Sequence, residues 1–353
     1  MAPRTAVAPK PKSAPKSSAS GLTKPKVDKR KPRKSKVKDG EVVAEEPKKS
    51  RKGKDAKATK ASAKKSPKKS PKKGAKSGGK KGKKKSAKRV FTAKTADRHE
   101  LYELAVQSPK EDVAFLTRVY KKVRGKQPLH FREDFCGTGH LSSHWIKRGS
   151  QYTAEGFDID PEVVSWGIER NFVPMGEDAS RCTLHLKDVR EKSTKKPDVR
   201  CAQNFSYFVF KQRKELIEYL RSAYKDLAKD GVFVMDIYGG PESMEEMEEV
   251  RDIEEGFTYI WDQDEYWPAS GNYSCFIHFQ FKDGTELRKA FRYDWRLWSL
   301  LEIKDALEEV GFATVDTYWE GTDEDGENGN GIFRKSTKGE NCLSWITYLV
   351  AYK

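Results

Sequence analysis

Gly137 and Gly139 interrupt the run Asp134-Phe135-Cys136-Gly137-Thr138-Gly139-His140, and about twenty positions further on stands an acid, Asp158. Glycine lets a backbone turn come close to a ligand where a Cβ would collide. A helix beginning after such a turn offers N–H groups that have no intrahelical partner. A carboxylate at the tip of the following strand can take both hydroxyls of a ribose. Together these residue types at this spacing describe a site for a cofactor that contains a nucleoside.

Positioning them requires a strand over 129–135, a turn over 136–139, a helix over 140–148 and a second strand over 152–157 that ends on Asp158. Two cofactors suit that unit. A dinucleotide asks for G-x-G-x-x-G so that pyrophosphate can rest on the helix, and here Ser142 stands at the third position, which weakens that reading. The segment resembles instead the first motif of the class I S-adenosylmethionine-dependent methyltransferases, roughly acid-x-G-x-G-x-G. Glu133 takes the acidic position, Gly137 and Gly139 take two glycine positions, and Phe135 stands where the family's first glycine usually lies. The resemblance implies S-adenosyl-L-methionine as cofactor and Asp158 as its ribose ligand.

The chain then repeats the alternation of helix and strand. A helix over 161–172 carries Val164, Ile168 and Phe172 on one face behind Pro161. A strand over 182–186 runs into Asp188 and Val189, which resembles the family's third motif, where an acid meets the adenine amino group. A solvent-facing acid at a strand end fits the same pattern. The next strand, 199–205, ends in Asn204-Phe205-Ser206-Tyr207, which falls where the fourth motif borders methyl group and substrate. A helix over 211–227 and a strand over 232–237 follow, with Asp236 near its end. Such alternation predicts a parallel sheet that binds ligands at the carboxyl ends of its strands. Glu133, Asp158, Asp188, Asn204 and Asp236 recur at five successive ends. The alternation predicts an α/β fold, and the resemblance implies a Rossmann-like class I methyltransferase sheet of parallel strands closed by antiparallel last strands. If the acceptor is an amine, Tyr207, Asn204 or Asp294 is the candidate to take its proton. The absence of D-P-P-Y, N-P-P-Y and Pro-Cys runs points away from DNA bases as acceptors.

Beyond 256 the pattern changes. Three segments rich in aromatic and β-branched residues, 257–267, 273–281 and 286–293, are joined by Pro- and Gly-bearing turns, including Asp283-Gly284. They predict an added three-stranded antiparallel sheet at 256–294. By its order in the chain this sheet resembles the active-site lid of small-molecule N-methyltransferases. Its aromatics, among them Tyr259, Trp261, Tyr293 and Trp295, suit either the lid's own core or a pocket wall that holds a cation. A helix over 300–310, a strand over 313–319, an acidic glycine-bearing loop over 321–331 and a strand over 345–352 complete the domain. Residues 91–128 read as N-terminal helices, with Ser108 as cap and Pro109 as first residue of the second.

Charge divides the chain in two. Residues 1–90 hold 34 Lys and Arg against 6 Asp and Glu and contain no aromatic residue, whereas the remainder carries a net charge of −11. A segment of that composition cannot bury enough apolar surface to offset its ordering entropy, so 1–90 reads as a disordered tail and 129–353 as the methyltransferase domain. Within the tail, Ser66-Pro67-Lys68-Lys69 is followed directly by Ser70-Pro71-Lys72-Lys73, and the segment resembles the tails of linker histones. The resemblance implies contact with a nucleic-acid backbone without sequence preference. Runs at 29–38 and 80–89 also suit nuclear import, so the expected location is nuclear, with organellar or cytoplasmic routing as alternatives. No run of about 18 apolar residues predicts a membrane span. Five scattered cysteines without a C-x-x-C pair suit a reducing compartment and argue against structural zinc. Three functions remain open: a methyltransferase tethered to chromatin or RNA that modifies a protein side chain or small molecule, a small-molecule methyltransferase whose tail only routes it, and a non-catalytic chromatin protein on a methyltransferase scaffold.

Overall fold

Short runs rich in β-branched and aromatic residues build two sheets, one with uniformly buried central strands and one partly exposed. The computed structural model describes residues 90–322 and 329–353. Residues 1–89, with the Ser-Pro-Lys-Lys units and the expected nucleic-acid contact, lie outside the described residues, as do 323–328. Five strands, β1 (His130–Asp134), β2 (Thr153–Asp158), β3 (Cys182–Leu186), β4 (Val199–Ala202) and β5 (Val232–Gly239), pair in parallel in the order 3-2-1-4-5. Later strands are β6 (Met247–Ile253), β7 (Phe257–Trp267), β8 (Asn272–Phe281), β9 (Glu286–Arg296), β10 (Thr314–Thr322), β11 (Gly329–Lys335) and β12 (Trp345–Tyr352). β12 lies antiparallel between β5 and β10, and β11 closes that edge, so the main sheet has eight strands in the order 11-10-12-5-4-1-2-3. β10 therefore runs in the direction of β1 to β5, and β12 alone reverses the core of the sheet.

Helices cover both faces. α2 (Pro109–Arg124) and α3 (His140–Ile146) pack on the face that carries Phe131, Cys201, Val234 and Val350. α5 (Arg213–Asp226) and α6 (Leu300–Glu309) pack on the face of Phe157, Ala202, Met235 and Ile237. α1 (Arg98–Val106) starts at Asp97, whose carboxylate accepts from the backbone N–H groups of His99 and Glu100. α2 starts at Pro109 as expected, although the Ser108 side chain makes no capping bond. α4 (Pro161–Gly167) ends earlier than its periodicity suggests and continues as a wide π-helical turn, Ile168–Phe172.

Two departures have physical causes. The added sheet has four strands, β6-β7-β8-β9, because β6 (M-E-E-V-R-D-I) pairs with β7 at the sheet edge. Six of its seven residues are exposed, so no apolar alternation marks it. β11 arises likewise from the glycine-bearing segment read as a loop, where backbone pairing to β10 outweighs composition. No helix among the described residues is long and apolar enough to cross a membrane.

Candidate cofactor cleft at the strand ends

Because β1 to β5 are parallel, their carboxyl ends share one edge, and the residues singled out there are brought together. The turn after β1 is left-handed at three points: Gly137 at φ 51°, Gly139 at φ 64° and Phe135 at φ 54°. Phe135 thus adopts the backbone conformation that a glycine would take, at a cost of about 1–3 kcal/mol. Its ring packs 5.9 Å from that of Phe210 and 5.8 Å from that of Tyr219, which offsets the strain. The departure from the family's motif changes the side chain and keeps the turn. On the far side α4 presses on the same turn. A Cβ added to Gly167 would lie 2.2 Å from the Thr138 carbonyl oxygen, so only glycine permits that approach.

Asp158, half-buried at the tip of β2, accepts from the Gly137 N–H at 2.8 Å through Oδ2 and from the Asp160 N–H at 3.0 Å through Oδ1. Each oxygen keeps a further lone pair, so the carboxylate both fixes the glycine turn and can still accept two hydroxyls. At the next strand end Lys187 donates its N–H to the Asp158 carbonyl at 2.8 Å, which sets Asp188 and Val189 beside the tip of β2. The Arg190 guanidinium grips Asp188 at 2.9 and 2.6 Å and holds its carboxyl below the usual carboxylate range. Val189 is buried.

Glu133 points inward. Its Oε2 accepts from the Ser142 N–H at 2.9 Å and the Ser142 hydroxyl at 2.5 Å, tying β1 to the first turn of α3. Burial pushes its carboxyl up to about 8. Asp236 does the equivalent work across the sheet, accepting from the N–H groups of Asn204 at 2.7 Å and Phe205 at 3.0 Å. Those two residues, at φ 56° and 57°, form the turn after β4, and burial pushes Asp236 up to about 7. Tyr207 is a correction. It is fully buried, and its hydroxyl donates to the Asp236 carbonyl at 2.9 Å, so it presents no open face to an acceptor. Asp294 is exposed and ion-paired to Lys211.

The structure adds three features to the sequence reading. Asp112, in the first turn of α2, accepts from the Tyr348 hydroxyl at 3.1 Å, and burial pushes it up to about 6. Its charge adds to the rise that burial causes at Glu133 and Asp236, and among the described residues none of the three has a cationic partner. An electron-poor or cationic ligand would meet a receptive field there. A cavity of about 270 Å³ opens onto Asp112 between α2 and Phe333 of β11. On the opposite face Arg132 and Arg200, both fully buried, share Asp134 and Asp226, and each donates to the Val189 carbonyl at 2.7 Å. This quartet anchors the loop that carries Asp188 and Val189. Its only trace in the sequence is charge clustered in a central strand, H-F-R-E-D. Finally, α1 covers the glycine turn, with Thr138 donating to Glu103 at 2.6 Å and Asn171 donating to the same oxygen at 2.7 Å.

Glu248, Asp262 and His278 cluster on the added sheet at ligand-like separations. The Lys289 N–H donates to His278 Nδ1 at 2.7 Å, which places the ring proton on Nε2, 2.9 Å from Asp262. A neutral imidazole so bonded has no lone pair for a metal, and the cluster is a hydrogen-bonded strut. The aromatics of the added sheet serve mainly as packing. Trp295 and Trp298 are buried, with Tyr293 and Trp295 centroids 4.4 Å apart, while Trp267 is exposed.

A 3-2-1-4-5 parallel sheet extended by an antiparallel hairpin-like edge, with a glycine turn after β1 and an acid at the tip of β2, is the fold of the S-adenosylmethionine-dependent methyltransferases. Solved structures with the same fold include an S-adenosylmethionine-dependent methyltransferase from Clostridium acetobutylicum, 16% identical over 72% of this chain and 96% of that one, with a TM-score of 0.53. They also include S-adenosylmethionine-bound CalS10, an amino pentose methyltransferase from Micromonospora echinaspora, at 14% identity, 72% and 95% coverage and TM-score 0.50. DesVI of Streptomyces venezuelae matches at 16% identity, 72% and 98% coverage and TM-score 0.50. No protein-family model and no curated protein sequence matches the chain.

Proposed function

We propose that the chain is an S-adenosylmethionine-dependent methyltransferase acting on a nitrogen of a small molecule or protein side chain. The observation that carries this reading is Asp158, fixed at the tip of β2 by the Gly137 N–H with two lone pairs left to receive a ribose. Gly137 and Gly139 would let the turn lie against the cofactor, and the Asp188–Val189 loop, held by Arg132 and Arg200, would border the adenine. When bound, the cofactor supplies a methyl group on a sulfonium that leaves as a neutral thioether. Because that leaving group is already cationic, the protein's task is alignment and exclusion of water. Asp236 does the first by fixing Asn204 and Phe205, and α1 does the second by covering the turn. Asp112, near 6 and open to a cavity, replaces Tyr207 as the group that would take an amine's proton. An amino pentose is the acceptor class named for one structural neighbour.

The basic segment 1–90 supports a second element of the reading, an address on chromatin or RNA in the nucleus that is separate from the chemistry. Isothermal calorimetry with S-adenosylmethionine tests the core of it. Wild type binds, and Asp158→Ala, losing hydrogen bonds to a charged acceptor worth about 1.5–3 kcal/mol, binds at least about tenfold more weakly. No binding by wild type, or equal affinity in the variant, refutes the assignment.

A further inference from the structure

Residues 91–353 carry a net charge of −11, yet one surface of the described residues is strongly basic. Along the outer side of α2 runs an open groove of about 740 Å³, rimmed by Lys110, Arg118, Lys121, Lys122 and Arg148, with no acidic residue in its lining. The α2 residues recur at helical spacing on one face, so the row from Lys110 to Lys122 extends over about 18 Å at 1.5 Å per residue. Lys110, Lys121 and Lys122 are exposed, and among the described residues none of them makes an ion pair.

Arg148 shows that the groove is built rather than merely charged. Its guanidinium is held 4.6 Å from the Trp145 ring and 4.0 Å from the Tyr152 ring, and its Nη1 is buried without a hydrogen-bond partner. Arg118 is fixed in turn by a bond to the Phe333 carbonyl at 2.9 Å and by the Phe115 ring. Two oriented guanidiniums flanked by exposed ammonium groups suit oxyanions spaced along a chain. His144 nearby is pushed down to about 4 chiefly by burial, then by Lys147 and His140 outside the groove and by Lys110 on its rim.

We infer that this groove binds the phosphate backbone of duplex nucleic acid, so that the folded domain, and not the basic N-terminal segment alone, contacts the polymer. An acidic peptide is the less suitable occupant, because the lining offers only Val113, Ala114 and Thr117 where a peptide interface needs large apolar anchors. The same lining has no aromatic side chain on which an unpaired base would stack, which favours a duplex over a single strand. The groove shares Ala114 and Arg118 with the cavity that opens onto Asp112, so a bound duplex lies beside the proposed acceptor site. Duplex binding itself does not depend on the methyltransferase reading.

The test uses the full chain and a short duplex of random sequence. Lysine acetylation read by mass spectrometry reports protection on adding duplex: Lys110, Lys121 and Lys122 become protected, while the exposed Lys214, on α5 at the opposite face of the sheet, keeps reacting. In parallel, replacing Lys110, Lys121 and Lys122 together by Ala makes the plot of log K against log salt shallower by about 2.7, at about 0.9 for each phosphate no longer neutralised. Unchanged circular dichroism confirms that these exposed sites leave the fold intact. Absent protection, or protection with an unaltered salt slope, overturns the inference, since the N-terminal segment would then hold the duplex alone. Protection by polyglutamate but not by duplex overturns it in favour of an acidic protein partner.

Discussion

Glu133 offers the sharpest single perturbation. In the native chain its carboxyl, buried against Ser142, titrates near 8, whereas a freely solvated glutamate titrates near 4.5. Between those values the folded state keeps a proton that the unfolded chain has released, so the contribution to stability is fully present below about pH 4.5 and is lost as pH rises through 8. Each pH unit of that window costs about 1.4 kcal/mol per proton, which over the whole window amounts to at most about 5 kcal/mol. After burial, the Asp112 charge adds to the rise at Glu133, and it does the same at Asp236, so part of the effect belongs to the cluster rather than to Glu133 alone. Glu133→Gln keeps the acceptor for the Ser142 N–H and hydroxyl and removes the titration. Urea unfolding from pH 5 to 9 should show wild type losing stability with rising pH and the variant losing distinctly less. Parallel curves for the two proteins would refute the claim that a proton resides on Glu133 in the folded state.

Gly167→Ala forces a Cβ to within 2.2 Å of the Thr138 carbonyl, so α4 must withdraw from the glycine turn. Thermal melting should report a loss of about 1–3 kcal/mol, and S-adenosylmethionine affinity should fall with it because the turn is displaced. Asp134→Ala removes the carboxylate that Arg132, Arg200 and the Tyr219 hydroxyl share. Two buried guanidiniums are then left to Asp226, and denaturant unfolding should show a loss of about 3–5 kcal/mol.

Much of the cleft was legible in the order of residues because strand ends in a parallel α/β sheet are local events. Gly137 and Gly139 mark a turn by their own backbone freedom, Asp158 follows at the length of one helix and one strand, and the alternation of helix and strand calls for a parallel sheet, whereas the 3-2-1-4-5 order came only with the structure. The outer strands were not legible. β6 and β11 are held by edge hydrogen bonds that ask little of side-chain type, so composition gives no sign of them.

The sequence by itself determined that polar residues would gather at one edge around a nucleoside-sized turn, since that depends on periodicity and on glycine. Only the tertiary structure decided what each residue does there, because partners arrive from distant segments: Tyr207 is tied to the Asp236 backbone, Phe135 takes a glycine's conformation under the Phe210 and Tyr219 rings, and Asp112 comes in from α2. Burial and hydrogen bonding are properties of the assembled neighbourhood. A residue's chemistry is set there, whereas its position in the fold is set along the chain.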